Sequence, residues 1–163
     1  MQLDDGSAMS TDAYVLGPGA GHVLDMGPFR MTAKATGAET RGGLTLLEAD
    51  EPPGFGPPMH IHDDAGEGFY VLSGEYVVYI EAEEHRCPAG TFVWVPAGVE
   101  HGFRVGASRS RKLNIYVPAA MEGYFHALAA SASGGTPLSD ADLTALAARH
   151  AMRVTGPVPE GYL

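Results

Sequence analysis

Between His22 and Val117 the apolar residues fall in short runs broken by Gly, Pro, Asp and Ser. The runs are His22–Met26, Phe29–Thr36, Leu44–Ala49, Met59–His62, Glu67–Leu72, Tyr76–Glu81, Thr91–Val95, His101–Val105 and Leu113–Val117. They are rich in Val, Ile, Phe, Tyr and Thr, which suit a pleated, half-buried surface. The breaks hold turn formers: Gly37, Gly42-Gly43, Asp63-Asp64, Ser73-Gly74, Pro88-Ala89-Gly90 and Pro96-Ala97-Gly98. Short strands in series with no helix between them predict an all-β antiparallel sandwich or barrel. The pattern changes after Pro118. Residues Ala119–Ala130 carry Met121, Tyr124, Phe125 and Leu128 at helical spacing. A breaker, Ser133-Gly134-Gly135-Thr136-Pro137, follows it. Ser139 then reads as the N-cap of a second helix, with Asp140 and Asp142 in its first turn and an apolar stripe at Leu143, Leu146 and Ala147. Gly156-Pro157 closes the region. The division predicted is an acidic flexible tail over 1–13, a barrel over 14–117, and helices with a tail over 118–163. So short a helical segment buries too little by itself and is expected to pack on the outside of the barrel.

Composition fits this picture and narrows the function. Of 163 residues, 22 are Gly and 12 are Pro, yet 45% are hydrophobic, so the Gly and Pro mark turns rather than disorder. Ten basic residues against twenty acidic ones leave a net charge of −10. Such a surface repels phosphate backbones and anionic lipid, so neither a nucleic-acid nor a membrane partner is expected. The single cysteine, Cys87, cannot form an intrachain disulfide and excludes cysteine-based zinc sites. The N-terminal residues carry Asp4, Asp5 and Asp12 but no Lys, Arg or apolar core, which is unlike a signal peptide. A soluble, cytoplasmic protein is therefore expected.

The candidate chemistry sits in two Gly/Pro-framed segments. In Gly54-Phe-Gly-Pro-Pro-Met-His60-Ile-His62, the two histidines are two residues apart on one strand and point to the same face. The Asp63-Asp64-Ala65-Gly66 turn reverses the chain, and Glu67 can return a carboxylate to that face. In Gly90-Thr-Phe-Val-Trp-Val-Pro96-Ala-Gly98-Val-Glu-His101, a strand, a turn and a return strand can bring in a third imidazole. Three neutral nitrogens and one carboxylate suit a divalent transition metal. Phe69 and Phe103 share strand parity with Glu67 and His101 and are candidate pocket walls, as is Val105. Tyr70 and Trp94 fall on the opposite parity and are read as packing residues. His22, His85, His126 and His150 lie outside both segments and are read as surface or structural residues.

These two segments resemble the cupin superfamily. Its first motif, Gly, five residues, His-X-His, three or four residues, Glu, six residues, Gly, is met by Gly54, His60, His62, Glu67 and Gly74. Its second, Gly, five residues, Pro-X-Gly, two residues, His, three residues, Asn, is met by Gly90, Pro96, Gly98 and His101, with Val105 in the Asn position. The fifteen residues between Gly74 and Gly90 are similar to the spacer of compact single-domain microbial cupins. The resemblance implies a double-stranded β-helix, the jelly-roll barrel of cupins, with a short C-terminal helical segment. It also implies that His60, His62, Glu67 and His101 hold one divalent metal, which can be Fe, Mn, Ni, Co, Cu or Zn.

The layout is similar to quercetin 2,3-dioxygenase-type monocupins of bacteria. That likeness implies a dioxygenase acting on a flavonol-like or other aromatic or polyketide enol. Glu67 would then be the catalytic base, Phe69, Phe103 and Val105 the substrate wall, and dioxygen the co-substrate. Two alternatives stand beside it: a non-oxidative metal-dependent isomerase, cyclase or lyase of secondary metabolism, and a non-catalytic small-molecule-binding cupin. By the same analogy a homodimer is expected, with Phe29–Thr36 as an edge strand for the contact.

Overall fold

The computed structural model describes residues 13–158. The expected N-terminal tail over 1–13 therefore lies outside the described residues except at Ala13, as does the end of the chain over 159–163. Eleven strands and two helices are present among the described residues. They are β1 (His22–Asp25), β2 (Arg30–Ala35), β3 (Thr45–Glu51), β4 (Met59–His62), β5 (Gly66–Ser73), β6 (Glu75–Ile80), β7 (Glu83–Pro88), β8 (Phe92–Val95), β9 (His101–Val105), β10 (Ser110–Val117), α1 (Glu122–Ser133), α2 (Asp140–Arg149) and β11 (Met152–Gly156). One sheet runs β1-β2-β3-β10-β5-β8 and the other β11-β4-β9-β6-β7, with the described pairings antiparallel. One apolar cluster, with Phe69, Val71 and Val95 from the first sheet and Tyr76, Val78, Phe103 and Val105 from the second, packs the sheets face to face. This is the double-stranded β-helix expected from the sequence.

Two strands escaped the sequence pattern, and both are edges. In β7, Glu83, Glu84, His85 and Arg86 are exposed and only Cys87 is buried, so no alternation marks it. It forms because β6 turns back on itself at Glu81, which takes a left-handed φ of 53°, and pairs with it from Glu75↔Pro88 to Ile80↔Glu83. In β11 only Met152 is fully buried, yet it adds a strand beside β4 in the register Met152↔His62, Arg153↔Ile61 and Val154↔His60. Conversely β2 is no edge: β1 covers one side and β3 the other. The contact expected at Phe29–Thr36 is therefore already filled within the chain, and the open edges among the described strands are β1, β8, β7 and β11.

The face assignments of β3 and β10 decide what lines the barrel. Thr45, Leu47, Ala49 and Glu51 point inward from β3, and Ser110, Lys112, Asn114 and Tyr116 point inward from β10. The apolar parity of β10, Leu113, Ile115 and Val117, faces out. There it joins a half-exposed apolar outer surface with Tyr70, Leu72, Phe92 and Trp94. Trp94 lies over Gly66, where a Cβ would stand 2.5 Å from the indole, so these outer aromatics do pack, but on the surface of the sheet.

The helices differ from expectation in start and in role. Helix α1 begins at Glu122 rather than Ala119, because Met121 adopts a left-handed φ of 68° that cannot lie inside a helix. Helix α2 follows its predicted cap: the Ser139 hydroxyl accepts from the Asp142 N–H, and the Asp142 carboxylate accepts from Ser139. Met121 and Phe125 of α1 and Ala147 of α2 pack in one core cluster with Leu24, Met31, Leu47 and Tyr116. The helical segment thus seals one end of the barrel and is not only an outer layer. No described helix is long and apolar enough to cross a membrane.

Candidate metal centre

Two glycines let the first motif reach the barrel interior. Gly54 has a left-handed φ of 71°, and its N–H donates to Val105 O at 3.1 Å. A Cβ on Gly56 would lie 2.1 Å from Phe103 O, so only glycine permits the loop to press against β9. From this anchored loop β4 projects His60 and His62 inward. The turn at 63–65 returns the chain as β5 with Glu67 on the same face, and β9 places His101 directly opposite His60.

The four side chains are buried, with exposures of 5% for His60, 3% for His62, 3% for Glu67 and 1% for His101. Their ligand atoms all lie within 4.8 Å of one another. Glu67 Oε2 is 2.9 Å from His62 Nε2, 2.9 Å from His101 Nε2 and 3.9 Å from His60 Nε2. His60 Nδ1 stands 2.8 Å from Pro58 O, and His101 Nδ1 2.9 Å from Val99 O. A carbonyl oxygen only accepts, so in both rings Nδ1 carries a hydrogen and Nε2 is the nitrogen that serves the cluster; in His101 it holds a proton toward Glu67 without a metal and gives up that proton to a cation. Among the described residues His62 Nδ1 has no partner, so its Nε2, too, is the nitrogen the cluster uses. Three inward-facing Nε2 atoms around a carboxylate form a donor set that a cation completes by taking the place of the protons between them. The donor set therefore fits a divalent transition metal, held by His60, His62, Glu67 and His101.

Electrostatics keep the set ready for a cation. Burial pushes the Glu67 carboxyl up, but hydrogen bonds from His101 and His62, with the His60 imidazole nearby, outweigh it and hold the group well below the usual range. Burial pushes the His60 imidazole down, against the pull of Glu67, and so favours its neutral, ligating form. Burial also works to lower His101, but its bond to Glu67 and the charge of that carboxylate leave it raised.

The cavity above the four is polar at its base and apolar at its walls. The base includes His60, His62, Glu67, Glu51, Asn114 and Tyr116; the walls include Phe29, Phe55, Phe103, Tyr124 and Phe125. Counting its opening it holds about 480 Å³. Of the three expected wall residues, Phe103 lines this cavity. Phe69 and Val105 do not: both are 1% exposed or less and sit in the apolar cluster between the sheets, Phe69 with its ring 6.2 Å from that of His101. Their strand parity is inward, but they face the apolar cluster and not the cavity.

Four residues at or beside the base were not foreseen. Asn114 Nδ2 donates to Glu67 Oε1 at 2.9 Å and lies 3.4 Å from the buried Tyr116 hydroxyl. Because a carboxylate accepts, the amide orientation is fixed, and Asn114 Oδ1 is left buried without a partner among the described residues. Glu51 is fully buried, accepts from Lys112 Nζ at 2.8 and 3.0 Å and from the Tyr76 hydroxyl at 2.8 Å. Lys112 Nζ also stands 4.0 Å over the Phe103 ring, a cation–π contact. The only signal for Lys112, Asn114 and Tyr116 was the polar parity of β10, and the apolar parity beside it pointed the other way.

The remaining sites behave as read from the sequence. His22 and His126 stack on each other at 5.4 Å, His150 lies against the Tyr124 ring, and His85 is on the exposed strand β7. Cys87 is buried, and burial pushes its thiol up, away from the reactive thiolate.

Comparison with known proteins agrees with this geometry. A family model described as a cupin domain matches residues 47–113. Quercetin 2,3-dioxygenase of Bacillus subtilis (strain 168) is 28% identical over 127 residues, 78% of this chain. The chain spans only 36% of that relative's length. An RmlC-like cupin from Shewanella frigidimarina superimposes with a TM-score of 0.58 at 19% identity, covering 68% of this chain and 95% of that one. KdgF from Halomonas sp. gives a TM-score of 0.54 at 20% identity, covering 59% and 84%. At these identities the two structures speak for the fold alone.

Proposed function

The chain belongs to the cupin superfamily, and from that premise we propose that it is a metal-dependent dioxygenase of a flavonol-like or other enol-bearing aromatic or polyketide molecule. The observation that carries the reading is a buried three-histidine, one-glutamate group at the base of a cavity with aromatic walls. When bound, a divalent transition metal supplies a Lewis-acidic centre and, if redox-active, a path for electrons to dioxygen. The chain's own residues do the rest. Glu67 is the general base that takes the proton of the substrate hydroxyl, for which its carboxyl, held below the usual range, is in the ionised form. Asn114 holds Glu67 Oε1 and offers its unpartnered Oδ1 to a second substrate hydroxyl. Phe29, Phe55, Phe103 and Phe125 wall the cavity around the reacting end of the substrate and exclude water.

Glu51 favours a second reading. A second buried carboxylate in the same cavity suits proton transfer between two substrate positions, the chemistry of a non-oxidative isomerase, cyclase or lyase. The expected homodimer stays part of the proposal, with a free edge such as β1 or β8 in place of β2.

The test is elemental analysis of the protein as isolated, then oxygen-electrode assays against flavonols, enols and polyketides, with anaerobic parallels. Oxygen uptake that disappears in Glu67→Gln supports the dioxygenase. Turnover that persists without oxygen moves the assignment to the second reading. No turnover under either condition leaves ligand binding as the function.

A further inference from the structure

The metal-side cavity ends at two rings that also belong to a second cavity. Phe29, in the turn between β1 and β2, and Phe55, in the loop before β4, have ring centroids 4.5 Å apart at an interplanar angle of 34°. Both line the cavity over Glu67, and both line a groove between the helices and the barrel. Counting its open side, that groove holds about 1070 Å³ against about 480 Å³ on the metal side. Besides the two rings its walls include Met26, Leu128, Leu138 and Leu143. The one polar side chain in its lining, Ser131, already donates its hydroxyl to Thr136 O at 2.9 Å. No lining side chain is left to hold a charge or a polar ligand, so the groove favours an uncharged apolar occupant.

We propose that the two cavities are one bipartite substrate site, divided by Phe29 and Phe55. The enol or hydroxyl head lies beside Glu67 and Asn114, and an uncharged aromatic or alkyl body passes the two rings into the helix-side groove. This rests on the reading that the metal-side cavity takes an enol, and it specifies the rest of the molecule. Continuity supports it: Phe29 and Phe55 line both spaces, and their side chains meet ring to ring at the boundary. The backbone on either side is pinned, since Val105 N–H donates to Phe55 O at 2.7 Å and Met26 N–H to Phe29 O at 3.1 Å. Both rings are only half-buried, so they can turn to another rotamer while the main chain stays in place. The bipartite site also gives the C-terminal helices a function, because α1 and the residues around α2 build the compartment for the apolar body.

The experiment uses three ligands and two variants of the full chain. Maltol carries the enol head alone, 3-hydroxyflavone carries head and body, and flavone carries the body without the 3-hydroxyl. Leu143→Trp and Leu138→Trp each fill the groove from its half-buried rim, where a larger side chain can be accommodated. Anaerobic titrations give Kd, with metal content and melting temperature measured alongside. The expected result is a tenfold or greater loss of affinity for 3-hydroxyflavone and flavone, less than a twofold change for maltol, and unchanged metal content. Equal losses for all three ligands, or no loss for any, would overturn the proposal. If maltol binds and the two larger ligands ignore both variants, the groove fails and the enol reading survives. If the larger ligands respond but maltol does not bind the parent protein, the enol reading fails and the apolar compartment survives. If none of the three binds the parent protein, both fall.

Discussion

Asn114, and not residue 105, supplies the asparagine of this cavity. The second motif ends on Val105, and Val105 is fully buried in an apolar cluster with Phe69, Tyr76 and Phe103. Restoring the motif residue there should not restore a function. Val105→Asn would place an amide among apolar neighbours, with an expected cost of about 1–3 kcal/mol in urea denaturation and no gain in metal affinity. Asn114→Leu should do the opposite: keep the volume nearly constant but leave Glu67 Oε1 without its donor. The expected effect is roughly 10–100-fold weaker metal binding, read by competition with a chelator. Equal metal affinity in Asn114→Leu and the parent protein would show that Asn114 does not position Glu67. The substitution of Val for Asn was legible in the sequence. The replacement was not, because Asn114 and Glu67 are 47 positions apart and meet only through the pairing of β10 with β5.

At the scale of elements, the ligand strand β4 depends on a neighbour that has almost no sequence signal. It has four residues, and β11 flanks it from the end of the chain. Asp63 N–H donates to Ala151 O at 2.9 Å. The alternation of antiparallel pairing then makes Ile61 and Arg153 a hydrogen-bonded pair. Arg153→Pro removes that ladder donor, whereas Arg153→Ala removes only the exposed ion pair with Asp63. The proline variant should lose metal affinity and protection of the β4 amides from hydrogen exchange, while the alanine variant stays close to the parent. Similar behaviour of the two variants would show that β11 does not brace His60 and His62. Edge strands such as β7 and β11 were illegible because alternation reports burial, and they bury one residue each. Central strands such as β3, β6 and β9 were legible for the same reason.

For the whole molecule, metal binding and folding should be coupled through His101. In the metal-free protein its imidazole is raised, so its pairing with Glu67 stabilises the fold at pH below the ordinary histidine value. That contribution is lost as pH rises through the raised value. A metal ion needs the same nitrogen bare, so metal stabilisation should grow from about pH 6 to about pH 8. Glu67, held well below the usual range, stays ionised throughout and adds no slope there. At metal concentrations about 1,000 times Kd the gain is roughly 4 kcal/mol, on the order of 10 °C in melting temperature for a chain of this size. Calorimetry of metal-free and metal-loaded protein across that pH range checks it; a difference that does not vary with pH would contradict the role of His101.

By itself the sequence determined the barrel class and the four candidate ligands. Two of these share one strand face, the third follows across a tight turn, and the fourth sits at a fixed distance from its own turn, so each placement is set by local spacing. Tertiary structure alone decided what surrounds them. Asn114 beside Glu67, Lys112 against Glu51 61 positions away, and the helix residues Tyr124 and Phe125 over the cavity come from distant parts of the chain. It also turned the polar parity of β10 inward, against the hydrophobic pattern. The reason is that a buried carboxylate needs donors more than that strand needs to bury Leu113, Ile115 and Val117.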